Sequence, residues 1–296
     1  MKKHSLLMIG CGAIGNAIAA QNSTESKWQL HGARRNTAKL APEISEHSVD
    51  YTDSQAVSQL LLDCVADYLL LTFTPRGYTS DGYQQTYVAG TRNVLAAIVH
   101  PPKRIVFVSS TSVYGQHNDE LIDETSDTSP GGFSGQAMLQ CEQMLADSAI
   151  PSTSIRCGGI YSSESTRLVA AVRESRFSAS NHFTNRIHRY DVAAAIMHLL
   201  NLDAHGQTVQ SLYLGVDSEP ARKQEVERWI AGQLGIEYPK SNSGSGGNEQ
   251  RNPGSKRCCN QRLLNSGFQF RYPSFRDGYR EVIDSITGKA SPDLQG

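Results

Sequence analysis

The sequence predicts an α/β protein: a doubly wound parallel sheet followed by a small C-terminal lobe. Three observations carry that expectation. Short apolar runs alternate with helix-patterned segments through roughly the first 216 residues, the pattern of successive βαβ units. The strongest runs are continuously apolar rather than alternating, as in strands covered by helices on both faces. The first run ends in a glycine-rich turn that opens directly into a helix pattern.

The elements follow in order. SLLMIG (5–10) reads as the first strand, AIGNAIAAQ (13–21) as a helix and WQLHGARR (28–35) as a second, weaker strand. SQAVSQLLL (54–62) is helical, and DYLLLTFTP (67–75) is an apolar strand closed by Pro75. TYVAGTRNVLAAIVH (86–100) has helical spacing through Val88, Val94, Leu95, Ile98 and Val99. RIVFVSST (104–111) reads as a strand, SGQAMLQCEQMLADS (134–148) as a helix and TSIRCGGIY (153–161) as a strand. YDVAAAIMHLLNL (190–202) is a helix, and SLYLGV (211–216) is the last strand of the alternation. Beyond it come the helical EVERWIAGQLGI and the polar loop SNSGSGGNEQRNPGSKR (241–257). A terminal helix, extended piece and helix lie within RLLNSGFQFRYPSFRDGYREVIDSI. The expected division is a nucleotide-binding region at 1–165 and a mixed region at 166–296. The mixed region holds the last sheet elements, about 187–216, and the lobe.

A net charge of −1 gives no global electrostatic reason for a nucleic acid or an anionic membrane as partner. The six cysteines are scattered without CxxC spacing, so neither a disulfide framework nor a metal site is expected. That usage fits a reducing cytoplasm. LLLDCVADYLLLTF is interrupted by Asp63 and Asp67 and is too broken to span a membrane. The uncharged stretch SLLMIGCGAIGNAIAA (5–20), behind two lysines, also has the look of a signal peptide or, through Cys11, a lipid anchor. Cleavage there would delete the first strand and every glycine of the turn. Ile9 is too bulky for the anchor motif. The strand–turn–helix reading is the consistent one.

Gly10-Cys11-Gly12-Ala13-Ile14-Gly15 fits G-x-G-x-x-G between a strand and a helix. Gly10 permits the tight turn, Gly12 lets a pyrophosphate approach the backbone, and Gly15 lets helix and strand pack closely. The phosphates then meet the positive helix N-terminus. About 20 residues on, where NAD sites place an acid on the ribose, this chain has Arg34 and Arg35. Two guanidiniums suit a 2′-phosphate. NADP is therefore the expected cofactor, with NAD the alternative. Asp50 is a candidate neighbour of the adenine.

YVAGTRNVLAAI (87–98), VFVSSTSVYG (106–115), GGIYSS (158–163) and RIHRYDVAAAI (186–196) resemble, in order and spacing, segments of the short-chain dehydrogenase/reductase superfamily. The likeness is to its extended and atypical branch, which includes NAD-dependent epimerase/dehydratases. KRCCNQRLLNSGFQFRYPSFRDGY resembles the C-terminal piece of small members. The resemblance implies a Rossmann fold with a substrate-side lobe. It places Thr72, Thr74 and Pro75 along the nicotinamide side and Ser110 as the catalytic hydroxyl. It sets Tyr161 and His188 at the substrate pocket. It extends to a small-molecule substrate such as a sugar nucleotide, and to a homodimer through helices matching 86–100 and 134–148.

One departure matters. The family's Tyr-x-x-x-Lys pair, in which the lysine lowers the phenol pKa for proton transfer, falls on Ser134 and Met138. Three explanations are open. Another phenol substitutes: Tyr114, or Tyr161, Tyr78 or Tyr83 from loops. The substrate or water supplies the acid or base. Or the fold senses a dinucleotide and regulates a partner without turnover. The leading expectation is an atypical NAD(P)-dependent oxidoreductase or epimerase/dehydratase-like enzyme; the alternative is the non-catalytic sensor.

Overall fold

A computed structural model describes residues 3–22, 28–239 and 254–288. Along the chain the strands are β1 His4–Ile9, β2 Trp28–Arg34, β3 Ile44–Ser48, β4 Tyr68–Leu71, β5 Arg104–Ser110, β6 Glu120–Ile122 and β7 Ser152–Cys157. Then come β8 Gly159–Tyr161, β9 Phe183–Thr184, β10 Arg186–His188, β11 Leu212–Gly215, β12 Ala221–Arg222 and β13 Lys256–Cys258. The helices are α1 Ala13–Gln21, α2 Ser54–Asp63, α3 Ser80–Tyr83, α4 Gly90–Ala97, α5 Phe133–Ala146 and α6 Arg167–Arg173. The last four are α7 Arg189–Ala204, α8 Lys223–Leu234, α9 Gln261–Asn265 and α10 Phe275–Thr287.

Seven strands form one sheet in the order β11-β7-β5-β4-β1-β2-β3. Neighbours from β3 across to β7 are parallel. Ser154 donates to the Ser211 carbonyl and Gly158 to that of Gly215, the constant offset of a parallel pair. The order reverses between β1 and β4, and it is outside the carboxyl ends of strands at such a switch point that doubly wound folds bind ligands. The apolar runs explain themselves: Leu6, Leu7, Met8 and Ile9 are wholly inaccessible, as are Ile105, Val106 and Phe107. Each such side chain contributes about 1.5–3 kcal/mol on burial.

Two compact units divide the chain. One comprises 1–115, 127–157 and 192–214 and holds the sheet; the other comprises 116–126, 158–191 and 215–296. They are interleaved rather than cut near residue 165, because the chain leaves the sheet after β5 and again after β7 and returns through α7 and β11. The second unit carries three two-stranded pairs, β8–β10, β9–β12 and β6–β13. Its core joins Val169 and Val172 of α6 with Val226 and Ile230 of α8 and Phe275 and Val282 of α10.

Several expected elements change in detail. The stretch read as one strand at 153–161 is two, because the chain turns out of the sheet at Gly158, where a side chain would strike the Asn185 carbonyl at 2.7 Å. The helix expected at 86–100 begins earlier, at Ser80, and passes through a π turn at Gln84–Ala89 before ending at Ala97. Of the loop expected at 241–257, residues 241–253 lie outside the described residues. Lys256 and Arg257 are not loop but part of β13, paired with Glu120 and Leu121. No described helix is long and apolar enough to cross a membrane.

Candidate functional site

The glycine turn sits at the sheet's switch point. Gly10 has φ +82°, a left-handed conformation, and a Cβ there would meet the Thr72 carbonyl oxygen at 2.8 Å. Thr72 itself, buried at the end of β4, fastens the turn. Its amide donates to the Ile9 carbonyl (3.0 Å) and its hydroxyl to that of Gly10 (3.2 Å). Gly15 faces the Cys11 sulfur, which a Cβ would approach to 2.3 Å, so α1 can lie close on β1 only with glycine here. At Gly12 a Cβ would have just the Gly10 carbonyl oxygen within 4 Å, at 3.7 Å. The approach to its backbone is therefore open. No side chain caps α1, whose first residues are Ala13 and Ile14. The first-turn N–H groups and the positive end of the helix dipole thus point out of the turn. An anionic pyrophosphate fits this cradle.

Arg34 ends β2 half-buried and Arg35 follows it exposed. Among the described residues neither guanidinium forms an ion pair. Asp50 is differently engaged. It accepts from the amide (3.0 Å) and hydroxyl (2.7 Å) of Thr52 and pairs with Arg76 at 2.5 Å. Burial opposes its ionisation, but those hydrogen bonds and the Arg76 charge outweigh that and hold its carboxyl below the usual range. Sequence reasoning missed Arg76 and Tyr51, which have no motif to announce them. Tyr51 stacks on Phe73 (ring centroids 4.5 Å, 26°), and its hydroxyl donates to the Thr74 carbonyl at 3.2 Å. Phe73 is buried; Thr74 is exposed and Pro75 half-buried. The strand end that the resemblance assigns to the nicotinamide side is thus a braced segment in which the Thr72 side chain faces the glycine turn.

Ser110 closes β5 half-buried, and its hydroxyl oxygen accepts from the Ser112 amide at 3.1 Å. That bond uses a lone pair and leaves the hydroxyl hydrogen available to another acceptor. Ser109 turns the other way and donates to Glu142 Oε1 at 2.5 Å. Glu142 receives Arg156 through both carboxylate oxygens, at 3.0 and 2.6 Å. Arg156 Nη1 donates to the Tyr114 hydroxyl at 2.7 Å.

Tyr114 is the main correction at the residue level. Expected as a catalytic phenol, it is only 3% exposed and turned into the core, where its oxygen satisfies a buried guanidinium. Tyr161 and His188, expected at a substrate pocket, are core residues of the second unit. Tyr161 stacks on Tyr279 (4.8 Å, 18°) and lies so close to Gly278 that a Cβ there would touch its hydroxyl at 2.0 Å. His188 packs edge-on to Tyr161 and lies 3.9 Å, centroid to centroid, from the ring of Tyr272. Burial pushes its pKa down to about 4.

Ser134 is half-buried in the first turn of α5, and Met138 is buried one turn on. The phenols gathered near them are Tyr78 and Tyr83. Their rings lie 4.9 and 5.4 Å from that of Phe133, the residue before Ser134.

Comparison with known proteins agrees with this geometry. A family model described as NAD(P)H-binding matches residues 10–203. A Methylobacillus flagellatus structure described as an NAD-dependent epimerase/dehydratase is 30% identical, over 97% of this chain and 100% of its own, with a TM-score of 0.81. Protein YeeZ of Escherichia coli is 26% identical over 92% of this chain and 97% of its own. UDP-glucuronic acid 4-epimerase of Bacillus cereus, solved with UDP-glucuronic acid and NAD, shares the fold at 16% identity. It covers 97% of this chain and 100% of its own, with a TM-score of 0.77.

Proposed function

This chain belongs to the NAD(P)H-binding family, in the epimerase/dehydratase-like branch of the short-chain dehydrogenases/reductases, and we propose that it is an atypical enzyme of that branch with a preference for NADP. The observation that carries the preference is the pair Arg34 and Arg35 at the end of β2. Among the described residues they have no acidic partner, and the nearby Asp50 is committed to Arg76 and Thr52. A ribose 2′-phosphate would supply the anion that two unpaired guanidiniums lack.

The dinucleotide would rest its pyrophosphate on Gly10, Gly12, Ala13, Ile14 and Gly15, with the segment Thr72, Thr74 and Pro75 beside it. When bound it supplies hydride transfer. The chain's own part is to hold a substrate oxygen by the Ser110 hydroxyl, whose hydrogen the Ser112 amide leaves available. A phenol of the Tyr78–Tyr83 group would move the proton, in place of residue 134. A serine hydroxyl cannot do so unaided at neutral pH. The substrate class proposed is a sugar nucleotide, because the fold is shared with an epimerase solved with UDP-glucuronic acid. Analogy with relatives extends the reading to a homodimer through the helices at 80–97 and 133–146.

The test is fluorescence titration of NADPH and NADH, followed by single-turnover hydride transfer from a panel of UDP- and dTDP-linked sugars to NADP+, and from NADPH to their 4-keto derivatives. NADPH should bind at least about tenfold tighter than NADH. Replacing both arginines by alanine should erase the difference, since a charge-assisted bond is worth about 1.5–3 kcal/mol. Equal affinities would overturn the NADP preference. Tight binding without hydride transfer in either direction would overturn the proposed reaction and favour a dinucleotide sensor.

A further inference from the structure

We propose that His31, His47 and Cys64 form a binding site for one zinc-class transition-metal ion at the β2–β3 edge of the sheet. The proposal does not depend on the dinucleotide or on any reaction.

The sequence hides this site because its members belong to three elements. β2 and β3 are parallel, and Ala33 lies opposite His47 in their register. Side chains two apart share a face of a strand, so His31 and His47 are diagonal neighbours on one face. Their rings lie 5.5 Å apart, and His31 Nδ1 stands 3.3 Å from His47 Nε2. Cys64 ends α2, pinned there by its amide bond to the Leu60 carbonyl. Its sulfur, one ring nitrogen of His31 and one of His47 all lie within 4.8 Å of one another.

These separations suit coordination. Two imidazole nitrogens at about 2.0–2.1 Å from a tetrahedral ion stand about 3.3–3.4 Å apart, the spacing seen here. For a hydrogen bond between rings, 3.3 Å is long. Two imidazoles and a thiolate favour zinc or cobalt over magnesium or calcium. A thiolate ligand stands about 2.3 Å from such an ion, so on binding the Cys64 sulfur would close on the two rings. Both histidines are half-buried, so an ion can enter from solvent. On binding, the Cys64 thiol releases its proton to water, the metal–sulfur bond forms, and a water takes the fourth position. The ion would link β2, β3 and the end of α2.

The experiment uses the full, untagged, metal-stripped chain titrated with cobalt(II) and followed by absorption. The expected result is one equivalent bound, with a sulfur-to-cobalt charge-transfer band that zinc(II) abolishes by competition. Cys64→Ser should lose that band, and His31→Ala and His47→Ala should each weaken binding at least about tenfold. Zinc should raise the melting temperature of the wild type and of none of the variants, as preferential binding to the folded state requires. Circular dichroism of each variant confirms that it is folded; should Cys64→Ser fail to fold, Cys64→Ala serves in its place. Absence of the charge-transfer band in the wild type, or binding that survives all three substitutions, overturns the proposal.

Discussion

Gly15 shows how one missing side chain sets the cofactor end of this fold. A methyl group at this position would stand 2.3 Å from the Cys11 sulfur and 3.4 Å from that of Met8. Neither neighbour can retreat easily, because Cys11 and Met8 are both buried. Gly15→Ala should therefore lower stability by about 1–3 kcal/mol, the usual cost of overpacking a close contact, and weaken binding of the nicotinamide dinucleotide as α1 shifts. Cys11→Ala combined with Gly15→Ala should recover part of that loss, since it removes the struck atom. Urea melts of the two single variants and the double variant measure the coupling; strict additivity would show that the contact is not the cause. At this scale the sequence was informative where chemistry is local. Gly10, Gly12 and Gly15 were legible because a tight turn, an open backbone and a close packing each demand glycine. Tyr114 was not legible. Its role depends on Arg156, which lies 42 positions along the chain and reaches it only through the sheet.

Between elements, the Ser109–Glu142–Arg156–Tyr114 network ties β5, α5, β7 and the segment after β5. The paired side chains are 7% and 10% exposed, so each charge depends on the other for solvation. Removing the carboxylate alone strands a buried guanidinium. Glu142→Ala should cost about 3–5 kcal/mol. Replacing both partners, as in Glu142→Leu with Arg156→Met, should cost much less, since no buried charge remains. Chemical denaturation at neutral pH checks both, and equal losses in the two variants would contradict the reading. The same network seats the end of β5 that carries Ser110, so Glu142→Ala should also impair any turnover that uses that hydroxyl. Element existence was legible for the long, strongly patterned elements, but not for the short β6, β9, β12 and α6. The continuous apolar runs of β1, β4 and β5 and the periodicity of α2, α5 and α8 all marked real elements. What local pattern could not reveal was where a strand changes sheets. At Gly158 an apolar run continues through a break whose cause, the Asn185 backbone, lies far along the chain.

For the molecule as a whole, the division into interleaved units was the least legible feature, since compactness is a property of contacts and not of chain position. The second unit carries buried ionisable groups that give it a pH signature. Asp217, 1% exposed, has one carboxylate oxygen on the Glu219 amide at 3.2 Å, while the other has no hydrogen-bond partner among the described residues. Burial pushes its pKa up to about 7; the Glu219 amide and Arg186 oppose that rise, and Glu219 and Asp191 add to it. A carboxyl whose folded pKa is raised holds its proton more tightly in the folded state. Its stabilising contribution is complete below the unfolded value of about 3.8 and is lost as pH rises toward 7. His188 acts in the opposite sense. Its pKa, lowered to about 4 by burial first and then by Arg189 and Arg271, means that stability is lost as pH falls from 6.5 toward 4. Over the shared window the two slopes oppose each other, so the wild-type profile conceals both. Substitution should expose them. Asp217→Asn should be more stable than wild type at pH 8 by about 1–3 kcal/mol, because no carboxylate is then ionised in a dry site. The advantage should shrink steadily on acidification and vanish near pH 4, while the variant itself, left with His188, should lose stability more steeply below pH 6.5 than wild type does. Urea denaturation across pH 4–8 measures the difference directly. A constant gap between the two proteins would mean that Asp217 does not titrate in this range.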